Sequence, residues 1–166
     1  MPDWKKIVNP WGDLPKEDYN CIMCSPYNPK GLHLSFYEDG DYVLTHWIPT
    51  KDYEGWTGVL HGGIQATLID EVTGWTVLRK LQTSGVTTRM SVKYKKPVPS
   101  RGTMPIEVRC KVAEVKRSFA ILNAELLVGG EVYTEAELTF YCFPKEKAVS
   151  EYRFTGCKTE DEINNE

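Results

Sequence analysis

The chain has 166 residues, 41% of them hydrophobic and 26% charged, and a net charge of −3 at pH 7. At that size the expectation is one domain with a core that needs neither disulfides nor a metal. The weakly acidic balance argues against a nucleic-acid partner, because affinity for phosphate backbones rests on clustered Lys and Arg. No apolar run approaches the length of a membrane span, so no membrane partner is expected. The Met-Pro-Asp-Trp-Lys-Lys start holds no apolar leader segment, and the protein is expected in the cytoplasm.

In chain order, residues 1–20 place Trp4, Ile7, Trp11 and Leu14 among charges and prolines and read as an N-terminal arm that docks its apolar side. Cysteines number five, an odd count that in such a chain predicts reduced thiols rather than bridges. Cys21 and Cys24 have the spacing of half a zinc site or of a redox pair. With no second ligand pair at short spacing and no βαβ pattern around them, a structural role is expected and no metal is called for. Ser25 to Gly31, SPYNPKG, is dense in turn formers. A strand follows over Leu32–Tyr37, where Leu32, Leu34 and Phe36 alternate with polar residues. Glu38–Asp41 reads as a hairpin turn, with Tyr42–Ile48 as the returning strand.

Gly58–Leu81 is the one substantial helix expected. After Ser84-Gly85 four strand candidates follow, Val86–Lys96, Met104–Val115, Ser118–Val128 and Glu131–Phe143, joined by short links that predict a sequential antiparallel meander. The domain is taken as 21–145, with 146–166 a polar tail on whose last residues no structure is imposed. Two short strands cannot stand alone, so they join the meander, and the helix covers the sheet. The fold class predicted is α+β, an antiparallel six-stranded sheet wrapped around one long central helix, which is the hotdog architecture.

At 100° per residue, Ile64, Leu68, Val72, Trp75 and Leu78 make one apolar face of the helix, and Glu71 falls on it. Asp70 falls on another, with Gly63, Ala66, Gly74 and Val77, where small residues let a ligand or backbone approach. His61-Gly62-Gly63 opens the helix, where backbone N–H groups lack intrahelical partners and the dipole adds about half a positive charge. Glycines there let a substrate carbonyl reach those donors, as an oxyanion site requires. Asp70 lies about two and a half turns further on, out of reach of any atom that His61 touches within the same helix. A structural reading of the same residues makes His61 a helix cap, pairs Asp70 with Arg79 and assigns the glycines to tight packing. Between the adjacent carboxylates helical phase leaves the choice open, since an apolar surround would raise the pKa of Glu71.

Gly58-Val59-Leu60-His61-Gly62-Gly63, followed after six residues by Asp70-Glu71, resembles the signature of the hotdog-fold acyl-CoA thioesterases of the PaaI-like group. The segment from Cys21 through Asn28-Pro29 to Gly31-Leu32 is similar to an amino-terminal segment of many members, and Thr87 to Tyr94 is similar to their third strand. The resemblance spans about residues 21–143 and is poorly specific for substrate. It implies hydrolysis of an acyl-CoA thioester, with Asp70 as general base or nucleophile. The N–H of Gly62 would polarise the thioester carbonyl, with His61 buttressing that turn. It further implies a strand hydroxyl from the neighbouring subunit, Thr87 by gapless pairing or else Thr88, that positions water. Gly63, Glu71, Thr88, Lys95, Lys96 and Arg117 are the candidate substrate-binding residues, and Arg101 a further cation for CoA phosphates by location alone. No cofactor is implied, and the assembly is a homodimer at minimum, with a tetramer open. An asparagine that one branch of the family carries six residues before the histidine is Gly55 here. Two other readings stand beside hydrolysis: a non-catalytic acyl-CoA-binding module, and a hotdog enoyl-CoA hydratase.

Overall fold

In the computed structural model, which describes residues 3–166, the strands are β1 (Lys5–Lys6), β2 (Tyr37–Asp39), β3 (Tyr42–Trp47), β4 (Glu54–Trp56) and β5 (Val59–Leu60) before helix α1 (Gly62–Thr76). After it come β6 (Gly85–Tyr94), β7 (Ile106–Lys116), β8 (Phe119–Val128), β9 (Glu131–Cys142) and helices α2 (Lys145–Tyr152) and α3 (Glu160–Asn164). Seven strands form one sheet in the order β1-β2-β3-β7-β8-β9-β6, and β4 and β5 make a separate ribbon. All pairings are antiparallel.

Alternation in the central strands explains the core. Val108 and Cys110 of β7, Ala120, Leu122, Ala124 and Leu126 of β8, and Leu138 and Phe140 of β9 are buried, as are Leu68, Ile69, Val72 and Trp75 of α1. Each large aliphatic or aromatic side chain so buried contributes roughly 1.5–3 kcal/mol relative to exposure. Phe36 stacks on Trp75 with centroids 4.3 Å apart, which fixes the helix against the segment leading into β2. The fold is therefore α+β, with the long helix lying on an antiparallel sheet, as its residues predict.

Four details differ from the sequence reading. The sheet has seven strands rather than six, because Lys5–Lys6 of the arm pairs with β2. The last four strands are not a sequential meander: β6 pairs with β9 at the sheet edge, and β7 pairs with β3. Hydropathy could not reveal this, since β6 is exposed over most of its length and shows no buried face to place it. The Leu32–Tyr37 strand joins the ladder only at Tyr37. The backbone N–H groups of Leu32 and Leu34 instead donate to the carbonyls of Ile22 and Met23, in the turn around the two cysteines. The helix begins at Gly62, not Gly58: Gly58 has φ +79° and turns the ribbon, and Val59–Leu60 pairs with β4. Its last turn, Val77–Leu81, widens to a π-helix that ends on left-handed Gln82.

Both termini are fastened to the sheet. Ile7 is buried and bridges Thr159, Trp11 and Leu14 pack against the core, and Trp4 stacks on His46. Residues 146–166 carry most of α2 and all of α3 and bury Ala148, Phe154 and Cys157. Arg79 holds this segment, pairing with Glu38 of β2 and with Glu162 of α3, each at 2.8 Å. Among the described residues, no helix is long and apolar enough to cross a membrane.

Candidate active site

Asp70 projects from the middle of α1 toward β6, where the Thr87 hydroxyl donates a 2.6 Å hydrogen bond to its Oδ1. A bulge makes this possible. Thr87 pairs with Phe140, and the next paired residue, Arg89, with Thr139, so Thr88 is the extra residue. Bulges re-aim side chains beside functional sites. Thr88 turns the other way and donates 3.0 Å to the Thr139 carbonyl of the neighbouring strand. Of the two threonines it is thus Thr87 whose hydroxyl reaches Asp70, and it does so within one chain rather than from a neighbouring subunit. The alternative pairing of Asp70 with Arg79 does not occur, since Arg79 is taken by Glu38 and Glu162.

The start of α1 is a second cluster. His61 caps the helix by accepting the Gly63 N–H at Nδ1, 2.9 Å away, which leaves the proton of a neutral ring on Nε2. Tyr94 Oη donates to the Gly62 carbonyl at 2.9 Å and ties the helix start to the end of β6. Buried Gln65 adds a second tie: its amide donates to the Leu60 carbonyl and accepts from Thr134 of β9. The Gly62 N–H has no acceptor within its own helix. It borders a concavity of about 700 Å³ lined by Gly55, Trp56, His61, Gly62, Tyr94, Lys95 and Lys96. A Cβ on Gly55 would lie 3.1 Å from His61 Cδ2, so the backbone at Gly55 is pressed against the imidazole.

The two clusters are eight residues apart on one helix, about 12 Å by helical rise. Both look out past β6, whose outer edge pairs with no other strand among the described residues and whose Val86, Met90 and Tyr94 are exposed.

The other candidates separate. Lys95 and Lys96 line the concavity beside His61 and are paired with Glu135 and Glu131. Arg101 is held by Glu54, which also accepts from Ser100 and the Gly58 N–H. The Arg101 hydrogen bond is the main reason the Glu54 carboxyl is held down to about 2. Arg117 is not brought to the site: it sits in the β7–β8 turn and lines a different concavity, with Leu81, Thr83 and Pro144. Glu71 is directed away from the Asp70–Thr87 pair. Its Oε1 accepts the Trp75 indole N–H at 3.0 Å and faces Cys21 at 3.6 Å, on the inner side of the helix. Sequence reasoning missed Tyr94 and Gln65 as anchors of the helix start; a tyrosine closing the strand motif was the available signal for the first.

Comparison with known proteins fits this arrangement. Residues 57–134 match the family profile described as thioesterase superfamily. Mouse acyl-coenzyme A thioesterase THEM4 is 27% identical over 97 residues, 58% of this chain and 41% of that protein. A crystallised thioesterase superfamily protein superposes with a TM-score of 0.67 at 24% identity, over 73% of this chain and 59% of its own. A hypothetical thioesterase of Streptococcus pneumoniae, solved with coenzyme A, gives a TM-score of 0.61 at 19% identity over 68% and 87%. The PaaI protein of Escherichia coli gives 0.60 at 10% identity over 69% and 82%. Residues 57–134 are thus similar to the thioesterase superfamily, and the chain has the hotdog fold of these solved structures. It spans well under two thirds of the mouse relative and of the first of these solved structures.

Proposed function

We propose that this protein hydrolyses an acyl-CoA thioester to the free acid and CoA, at a site shared by two copies of the chain. The observation that carries the reading is the 2.6 Å Thr87–Asp70 hydrogen bond beside a sheet edge that is unpaired among the described residues. A carboxylate with one oxygen fixed by a hydroxyl keeps its other lone pairs for water. Asp70 takes a proton from that water as it attacks the thioester carbonyl, or attacks the carbonyl itself to form a mixed anhydride that water then cleaves to the free acid. The oxyanion that develops is held by the Gly62 N–H at the positive end of a helix dipole, where charge stabilisation is strongest. Collapse of the tetrahedral intermediate breaks the C–S bond, and the CoA thiolate leaves. No metal or cofactor enters these steps.

Two copies are needed because Asp70 and Gly62 of one helix are too far apart to act on one carbonyl. An unblocked ten-residue edge strand is a template for pairing with another chain. Pairing β6 with β6 of a second copy by a two-fold axis brings the helix start of one chain toward the Asp70–Thr87 pair of the other. Lys95 and Lys96 then flank the mouth of the site, where CoA phosphates would lie. All five cysteines are free thiols, which supports a reducing compartment such as the cytoplasm.

The test is Asp70→Asn against a panel of acyl-CoAs, following release of free thiol. Unchanged turnover would refute the assignment, and loss with Glu71→Gln alone would move the role to Glu71. The packing of Gly55 on His61 favours a second reading, a module that binds acyl-CoA without cleaving it. Saturable binding with no thiol release across the whole panel would select that reading.

A further inference from the structure

We propose that Cys21, Cys24 and Glu71 form a binding site for a soft divalent metal ion, zinc by its chemistry, that fastens the N-terminal segment to α1. The three side chains come from parts of the chain fifty residues apart, yet one ligand atom of each lies within 4.8 Å of the other two. The Cys21 Sγ to Glu71 Oε1 distance is 3.6 Å. Bond lengths of about 2.3 Å to sulfur and 2.0–2.2 Å to oxygen at a tetrahedral angle place those two atoms ~3.6 Å apart, so the pair already spans a metal's coordination edge.

The surroundings are those of thiolate ligands. The N–H groups of Met23 and Cys24 both point at Cys21 Sγ, each at 3.4 Å, and the turn is closed by the Ser25 N–H on the Cys21 carbonyl. Two amides directed at the first sulfur of a C-x-x-C turn supply the outer hydrogen bonds that a metal-bound thiolate takes. Tyr19 Oη donates to Cys24 Sγ at 2.9 Å, and the Trp75 indole N–H holds Glu71 Oε1 at 3.0 Å. Each ligand therefore has an orienting donor of its own.

The cluster opens on a concavity of about 540 Å³ between α1, the N-terminal arm and α2, which gives an ion a way in and water a place as fourth ligand. Arg153, the one cation lining that concavity among the described residues, is bound to Asp18 at 2.8 Å. On binding, both thiols release their protons to solvent, and two thiolates and one carboxylate face the dication. Thiolate-rich sets of this kind select zinc over magnesium or calcium. Because Leu32 and Leu34 hang from the same turn, the ion would hold the segment that carries Phe36 onto Trp75.

The proposal is independent of thioester hydrolysis, and its test reads metal rather than turnover. The reduced full chain, stripped with chelator, is titrated with zinc and, for a spectroscopic signature, with cobalt(II). Expected are one equivalent bound per chain, thiolate-to-cobalt charge-transfer absorption with the strong visible bands of a four-coordinate ion, and a raised Tm. Cys21→Ser and Cys24→Ser should abolish the charge-transfer bands, and Glu71→Gln should weaken binding on the order of 10–100-fold. Cys142→Ser and Asp70→Asn should bind as the parent chain does, which also guards against variants that fail to fold. Absence of saturable binding by the reduced chain would overturn the proposal, as would unchanged binding by Glu71→Gln and Cys21→Ser. So would recovery of the pair only as a Cys21–Cys24 disulfide that exchanges with glutathione while the dithiol takes no metal.

Discussion

The hydroxyl of Thr87 sits 2.6 Å from Asp70 Oδ1 because Thr88 is an extra residue in its strand. A carboxylate on a helix and a hydroxyl on a bulged strand thus form one unit, so their substitutions should not act independently. Asp70→Asn is expected to lower kcat by roughly 10²–10⁴-fold. Thr87→Val, which removes a hydrogen bond to a charged group worth about 1.5–3 kcal/mol, should cost roughly 10–100-fold. The double variant should be little worse than Asp70→Asn. Steady-state kinetics of thiol release measure all three, and additive losses would mean that Thr87 acts apart from Asp70.

Met90 lies near the middle of the exposed strand β6. If two copies pair there about a two-fold axis, Met90→Lys places like charges near each other and should dissociate the dimer and remove turnover together. Sedimentation velocity combined with activity at the same concentrations checks this. A monomeric variant with full activity would show that one chain holds a complete site.

Acid should release the C-terminal segment before the sheet melts. The Arg79 hydrogen bond, assisted by the Thr159 N–H, lowers the Glu162 carboxyl from 4.5 to about 2. A depressed carboxyl pKa contributes stability above the unfolded value and loses it as pH falls through the folded value, so this contribution fades between pH 4.5 and about 2. Glu38 works in the same direction: burial raises its pKa, but hydrogen bonds from Arg79 and Lys80 hold it below the ordinary value. Amide exchange in Glu160–Asn164 should accelerate across that range, and Glu162→Gln should make it fast at neutral pH. Arg79→Ala, which leaves Glu38 with Lys80 as its remaining cation and frees Glu162, should destabilise the chain by about 2 kcal/mol.

Gly55→Asn tests what the histidine can tolerate. Its Cβ would meet His61 Cδ2 at 3.1 Å, so the ring that caps the Gly63 N–H must give way slightly. The expected cost is about 1–2 kcal/mol of overpacking, read as a Tm fall of a few degrees, with lower turnover. Higher turnover would mean that an asparagine beside His61 can be accommodated and used.

What could be read in the residues follows where burial is periodic. The face Ile64, Leu68, Val72, Trp75 and Leu78 marked α1, and alternation from Ala120 to Val128 marked β8. Strand order was not legible, because β6 has no buried face and pairs with β9, far along the chain, rather than with the strand that follows it. The bulge at Thr88 leaves no mark in hydropathy, so the choice between adjacent threonines came from resemblance and its reason from geometry. The C-terminal helices were missed because Ala148, Phe154 and Cys157 are too sparse to show a period in a polar stretch. Glu71 showed its apolar phase but not its company, since Cys21 reaches it only through the tertiary fold.

The two margins of the sheet are unlike. At one, two-residue β1 ends the ladder and carries Lys6 bound to Glu160, a short and charged border that repels further strands. At the other, β6 is long and open. In the proposed two-fold pairing each copy meets the other through its open margin and presents its closed margin outward. Growth along the sheet would then stop at two chains, and the bare edge would not seed fibres.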